Sequence, residues 1–147
     1  MMTPFKLPLA RSVLFGILAL GACSQSPQEQ LINQIEAQIS LPDGAKSKNK
    51  YARYYAFGPG GRIIGEYIIQ SPDIFVHTLE ACREQAFRDF PCGKDGNTVE
   101  LVRNGERLWI EDYLSLPTRF GGGCSAISFQ YDPASERFYH LECKGPY

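Results

Sequence analysis

Residues 12–22 (SVLFGILALGA) form a run of 11 without a charge, and the stretch before it carries Lys6 and Arg11 but no acidic residue. A basic start followed by a short apolar block is the pattern of a secretory signal. The block is too short for a bilayer span, which needs roughly 20 apolar residues. It therefore reads as a processed signal and not as a permanent transmembrane helix. Export constrains the fold more than any other feature, because it directs the rest of the chain to a compartment where disulfides persist.

The end of the block sets the kind of processing. Leu20-Gly21-Ala22-Cys23 places a branched apolar residue, two small residues and a cysteine in the order of a lipobox. Over residues 1–23 the chain thus resembles the bacterial lipoproteins. That resemblance implies cleavage before Cys23, a diacylglyceryl group on its thiol and, in many bacteria, a further acyl chain such as palmitate on its amine. Two or more chains hold a protein stably at a membrane where one does not. Ser24 resembles the residue that follows the cysteine in outer-membrane lipoproteins. The resemblance therefore implies a lipid anchor facing the periplasm, with the outer membrane favoured. The expected organisation is a signal peptide over 1–22, a lipidated cysteine and short tether over 23–25, and a single globular domain over 26–147.

Removal of residues 1–22 leaves 125, the size of one ordinary domain. It carries 13 Lys/Arg against 16 Asp/Glu, a net charge of −3. There is no basic excess to suggest nucleic acid. With Cys23 set aside, Cys82, Cys92, Cys124 and Cys143 remain, and an even number in an exported chain predicts two disulfides. Three pairings are possible, and the local one, Cys82–Cys92 with Cys124–Cys143, is favoured. A metal site is not expected, because the chain has no Cys-x-x-Cys pair and no close Cys/His grouping.

Ser26-Pro27-Gln28-Glu29 reads as a helix start, with Ser as N-cap, Pro at the first helical position and Glu closing a capping box. Leu31, Ile32, Ile35 and Ile39 then share one helical stripe, and Leu41-Pro42-Asp43-Gly44 ends it. Residues 45–50 (AKSKNK) read as a solvated loop whose Lys46, Lys48 and Lys50 could also meet anionic lipid. Residues 51–57 (YARYYAF) and 62–70 (RIIGEYIIQ) flank Gly58-Pro59-Gly60-Gly61 and predict a hairpin. Alternation sends Tyr51, Arg53, Tyr55 and Phe57 to one face and Ala52, Tyr54 and Ala56 to the other. Tyr51, Tyr54 and Tyr55 are the candidate ligand-binding residues if an aromatic face is exposed; otherwise they are packing.

Ser71-Pro72-Asp73 opens a second helix on which Phe75, Val76, Leu79, Cys82, Ala86 and Phe90 recur. A straight helix through Cys92 would hold Cys82 about 15 Å from it, whereas a disulfide needs Cα atoms about 4.4–6.8 Å apart. A local pairing therefore requires the helix to end near Phe87 or Arg88. Residues 98–103 (TVELVR) and 106–113 (ERLWIEDY) flank Asn104-Gly105, a strong hairpin signal that places Trp109 in a strand and Val99 with Leu101 on one pleat. Residues 124–131 and 137–143 form a third hairpin around 132–136, which sets Cys124 opposite Cys143. The expected fold class is α+β, an antiparallel sheet of about six strands from three hairpins with two helices, stapled by two disulfides.

Catalytic templates are scarce. The chain has two histidines, and it lacks His-Glu-x-x-His, a Gly-x-Ser-x-Gly elbow, a phosphate loop and a dinucleotide fingerprint. Gly121-Gly122-Gly123 lacks the Lys of a phosphate cradle and reads as a hairpin entry. Glu111 and Asp112, adjacent on a strand, would point to opposite faces, and His77 reads as structural. The residues allow one nucleophilic arrangement, with Cys124 as thiolate, His140 as base and Glu142 or Asp112 as orienter. A disulfide at Cys124 would remove it. The leading expectation is a non-enzymatic cell-envelope lipoprotein, attached to the membrane through its lipid and binding an envelope protein or peptidoglycan, with no cofactor. A periplasmic module using the tyrosine surface and a cysteine-dependent hydrolase are the alternatives.

Overall fold

The computed structural model describes residues 25–84, 91–92, 100–119 and 121–145. The first helix, α1, spans Pro27–Gln38, and Ser26 Oγ caps it by accepting from the Glu29 amide at 3.1 Å. The Glu29 carboxylate does not close the expected capping box; it turns to Arg107. Strands β1 (Ala52–Phe57) and β2 (Ile63–Ile68) form the first hairpin, in register from Ala52 opposite Ile68 to Phe57 opposite Ile63. Helix α2 spans Ile74–Arg83, β3 spans Arg107–Trp109, and β4 (Gly123–Asp132) pairs with β5 (Arg137–Lys144) as the last hairpin.

These strands make one five-stranded sheet in the order β3-β1-β2-β4-β5. The α+β class agrees with the sequence, but among the described residues the sheet is mixed and has five strands instead of about six. The difference lies at Asn104-Gly105. The turn itself forms, with Gly105 at φ +95° and the Glu106 amide donating to the Arg103 carbonyl at 2.9 Å. Residues 100–103 nevertheless form no strand, and β3 pairs parallel to β1, with Arg107 opposite Arg53 and Trp109 opposite Tyr55. The backbone after the turn finds the free edge of β1: the Gly105 amide donates to Tyr51 O at 2.9 Å, and the Ile110 amide donates to Tyr55 O at 2.7 Å. Asn104 is tied away from a hairpin by two side-chain bonds to the Gln70 backbone, at 2.9 and 3.0 Å. Thr98 and Val99, assigned to the same hairpin, lie outside the described residues.

Both disulfides have the local pairing, with Cα–Cα distances of 5.5 Å for Cys82–Cys92 and 4.6 Å for Cys124–Cys143. Helix α2 ends at Arg83, short of Phe87 and Arg88, so the backbone leaves the helical path one residue after Cys82. The β4–β5 ladder shifts register between Gly123 and Ile127 and again between Ser128 and Gln130. His140, which faces the second shift on β5, has φ +51°, a left-handed conformation rare for a residue with a Cβ.

Cores lie on both faces of the sheet. Ile32, Ile35 and Ile39 of α1 pack on Tyr51, Tyr55, Ile63, Tyr67, Ile127, Phe129 and Tyr131. Ala52, Tyr54 and Ala56 face the other way, onto Ile110 and Leu116. Double coverage explains why residues 51–56 are buried without interruption, although their side chains alternate as the sequence predicts. The aromatic layer depends on Gly65. A Cβ there would lie 2.1 Å from Phe129 Cζ, and this absence of a side chain lets Phe129 approach Tyr67 and Tyr55 edge-on at 5.4 and 6.4 Å. Gly65→Ala should therefore destabilise the fold by about 1–3 kcal/mol through overpacking, read as a lower urea midpoint with an unchanged slope.

Candidate functional site

A dense arrangement of polar side chains lies between α1 and the sheet. Glu29, Asn33 and Glu36 recur at helical spacing along the flank of the apolar stripe of α1, and all three meet Arg107 of β3. Arg107 Nη1 lies 2.7 Å from Asn33 Oδ1 and 3.5 Å from Glu36 Oε2, and its Nη2 pairs with Glu29. Glu36 Oε1 also receives Arg53 Nη1 at 3.2 Å and the Tyr55 hydroxyl at 2.7 Å. Tyr55 and Tyr67 share a hydroxyl contact at 2.8 Å, and Arg53 Nη2 donates to Gly105 O at 2.7 Å. Two carboxylates and two guanidiniums balance, so the helix is clamped to the sheet without net charge. Burial raises the pKa of Tyr55 and Tyr67 well above the ordinary value, which keeps both hydroxyls protonated as donors.

Lys48 adds to this clamp, since its ammonium bonds the Glu36 carbonyl, one of the last carbonyls of α1. A cation there satisfies an orphan acceptor and complements the helix dipole. The loop of alternating lysines therefore contributes one of its members to the helix end. On the opposite face, Glu66 is buried and pairs with Lys144 at 3.0 Å. Burial pushes its pKa upward, and the hydrogen bond and charge of Lys144 act against the shift.

Tyr51, Tyr54 and Tyr55 are wholly buried, which removes them as an exposed ligand-stacking surface. Tyr51 stands 6.1 Å from Tyr67 and donates to Cys124 O at 2.7 Å, while Tyr54 fills the second core. The reason is the second layer of cover, which leaves neither pleat of β1 facing solvent. Cys124 is bonded to Cys143, so the arrangement with His140 and Glu142 or Asp112 has no thiolate to attack with. Asp112 instead caps a short turn by accepting from the Leu114 amide at 3.0 Å. His77 is exposed, with Nδ1 3.9 Å from Glu80. Gly121, Gly122 and Gly123 all have positive φ at the entry to β4. Among the described residues no group of three or more His, Cys, Asp or Glu side chains is placed to hold a metal. No helix of the described residues is long and apolar enough to cross a membrane. Cys23 lies outside the described residues.

One apolar concavity of about 390 Å³ opens between the end of β2 and α2. Ile68, Ile69, Ile74, Leu101 and Pro117 line it, and Arg119 stands at its side with Nη1 bonded to Ile69 O at 3.2 Å. Next to it on α2, Val76 is exposed. Sequence reasoning missed both this concavity and the clamp. The available signal for the clamp was Arg53 within an otherwise aromatic strand, together with the polar residues flanking the α1 stripe. Comparison with family models, with curated proteins and with solved structures returns no match.

The clamp is most buried at the Arg53–Glu36 pair, whose side chains are 11% and 16% exposed, and more open at Arg107 and Glu29. Removing one partner strands a charge, so Glu36→Ala is expected to destabilise the fold by about 3–5 kcal/mol. Arg107→Ala, at a more exposed position, should cost less than about 1 kcal/mol. Urea unfolding of the two variants checks the contrast, and equal losses would contradict it.

Proposed function

We propose that this protein is a non-enzymatic envelope lipoprotein, acylated at Cys23, whose domain is held against the membrane and binds another envelope component there. The observation that carries the reading is the shortness of the connection to a helix that is itself fixed to the sheet. Ser24 and Gln25 alone separate Cys23 from the N-cap Ser26. Three Cα–Cα steps of 3.80 Å span at most about 11 Å. The helix that follows is fixed to the sheet by Arg53 and Arg107. A lipidated Cys23 would thus hold the whole domain beside the bilayer, where a long flexible tether would let it roam. The lipobox order at 20–23 and the positive n-region support export and acylation, and the two disulfides suit an oxidising compartment.

The apolar concavity beside α2 is the surface we assign to the partner. Its lining is mostly apolar, with Gln70, Ser71, Thr78 and Thr118 as neutral polar members and Arg119 as the flanking cation, which suits a largely apolar segment of an envelope protein better than peptidoglycan.

Acylation is tested with labelled palmitate. The wild-type chain should incorporate label and fractionate with membranes, and Cys23→Ser should do neither; equal labelling of the two would sink the anchor. Partner binding is tested by placing a photo-cross-linking residue at Thr78, which lines the concavity, and at Ser135 in the exposed β4–β5 turn. A discrete adduct is expected from position 78 alone.

A further inference from the structure

We propose that the corner formed by Phe57 and Trp109 is a second membrane contact, seated at the headgroup boundary of the bilayer that holds Cys23; the inference rests on the anchor reading above. Phe57 is 46% exposed, and its ring meets Trp109 edge-on at 4.8 Å. It opens the segment Phe57-Gly58-Pro59-Gly60-Gly61, which has no charged side chain and exposes Pro59, Gly60 and Gly61 to solvent. An aromatic pair beside a neutral turn has the chemistry of the interface, where amphipathic rings such as Trp are enriched. A solvent-facing large apolar ring next to the sole tryptophan of the chain has no role in either core layer that requires its exposure.

Position points the same way. Phe57 pairs with Ile63 and Ile63 with Tyr131, so Phe57 is level with the residue that precedes Asp132 and the β4–β5 turn. Gln34 of α1 donates to Glu136 in that turn at 2.8 Å. Just past the helix, the Asp43 carbonyl oxygen lies 3.4 Å from Cys124 Sγ, at the opposite end of the sheet. Helix α1 therefore enters the domain at the end where Phe57 lies. Leu31 in its first half and Trp109 pack against the same core. With Cys23 within about 11 Å of Ser26, the acyl chains and the aromatic corner share one end of the molecule. The clamp from Glu29, Asn33 and Glu36 to Arg107 prevents the helix from swinging that corner away.

The charges nearby identify the kind of surface. Arg62, Asp132, Glu136 and Arg137 lie around this end, with Asp132 opposite Arg137, and the exposed Glu111 and Asp112 follow Trp109, so acidic side chains outnumber basic ones here. They supply no net attraction to anionic headgroups. The contact is therefore apolar and interfacial, forms on zwitterionic lipid and is insensitive to salt. A shallow seat of this kind reaches about 5–10 Å into the headgroup and acyl boundary. It would give the lipid anchor a second point of attachment and fix which face of the domain looks outward.

Trp109 reports on its own environment. Acylated protein purified from membranes is reconstituted in phosphatidylcholine vesicles containing lipid brominated near the headgroup end of the chain or near its terminus. The expected result is a blue-shifted emission quenched more by the shallow label, at low and high salt alike. Phe57→Asn should lose most of the quenching while the protein still floats with the vesicles. Pro59→Asp, at an exposed turn residue that leaves the aromatic pair in place, should do the same and covers the case in which Phe57→Asn disturbs folding. Flotation without quenching overturns the aromatic contact and leaves the anchor standing. Quenching abolished by salt also overturns it, as does a dimer in mild detergent that Phe57→Asn converts to monomer. Failure of wild-type protein to incorporate palmitate overturns the anchor reading and this inference with it.

Discussion

The carboxylate of Glu36 is the point at which the helix and the sheet become one body. It takes charge from Arg53 and Arg107 and a hydroxyl from Tyr55, all from strands that the sequence separates widely from α1. Apolar contact of Ile32, Ile35 and Ile39 supplies the adhesion, but apolar packing alone tolerates sliding. Placing a partly buried ion network at the margin of that contact favours one register, because a displaced helix would leave Arg53, the most buried member, without its carboxylate. The order of burial follows: Arg53 is held over the sheet, Tyr55 and Tyr67 stand under it as donors, and the aromatic layer closes around Gly65.

The sheet edge follows from a similar competition. A hairpin at Asn104-Gly105 would have satisfied the backbone of β3 locally, yet the edge of β1 offered unpaired carbonyls at Tyr51 and Tyr55. Parallel pairing with β1 satisfies those groups, and Arg107 then arrives beside Arg53, within reach of the helix. The strand that departs from the simplest topology is thus the one that brings in the second guanidinium of the clamp. Three residues of parallel pairing are a weak ladder in isolation; the Gly105 and Ile110 amides, bonded to Tyr51 O and Tyr55 O, extend it at both ends.

Much of this architecture was legible in the sequence because it depends on local chemistry. The Ser26 cap, the stripe of α1, the β1–β2 and β4–β5 hairpins and the local disulfide pairings all follow from spacing and turn residues. What was not legible depends on neighbours distant in the chain. Alternation in residues 51–57 gives the faces of Tyr51, Tyr54 and Tyr55, but it cannot say that both faces are covered, and that cover is what decides between packing and an exposed surface. The fate of β3 was hidden for the same reason, since turn chemistry at Asn104-Gly105 is equally compatible with a hairpin and with a bend that delivers a strand elsewhere. The clamp was hidden because Glu29, Asn33 and Glu36 look, residue by residue, like the solvated flank of an amphipathic helix.

The left-handed backbone of His140 would matter for any protein confined to a crowded layer. Molecules confined to a surface meet one another far more often than in free solution, and an eight-residue outer strand such as β5 invites edge-to-edge pairing. Here the ladder between β4 and β5 loses register beside His140, so a straight strand laid along β5 would fall out of phase after a few residues. At the opposite margin β3 is only three residues long. The sheet therefore ends on both sides in strands that give a neighbouring copy little to template on, so crowding at a surface would not by itself extend it into a continuous ribbon.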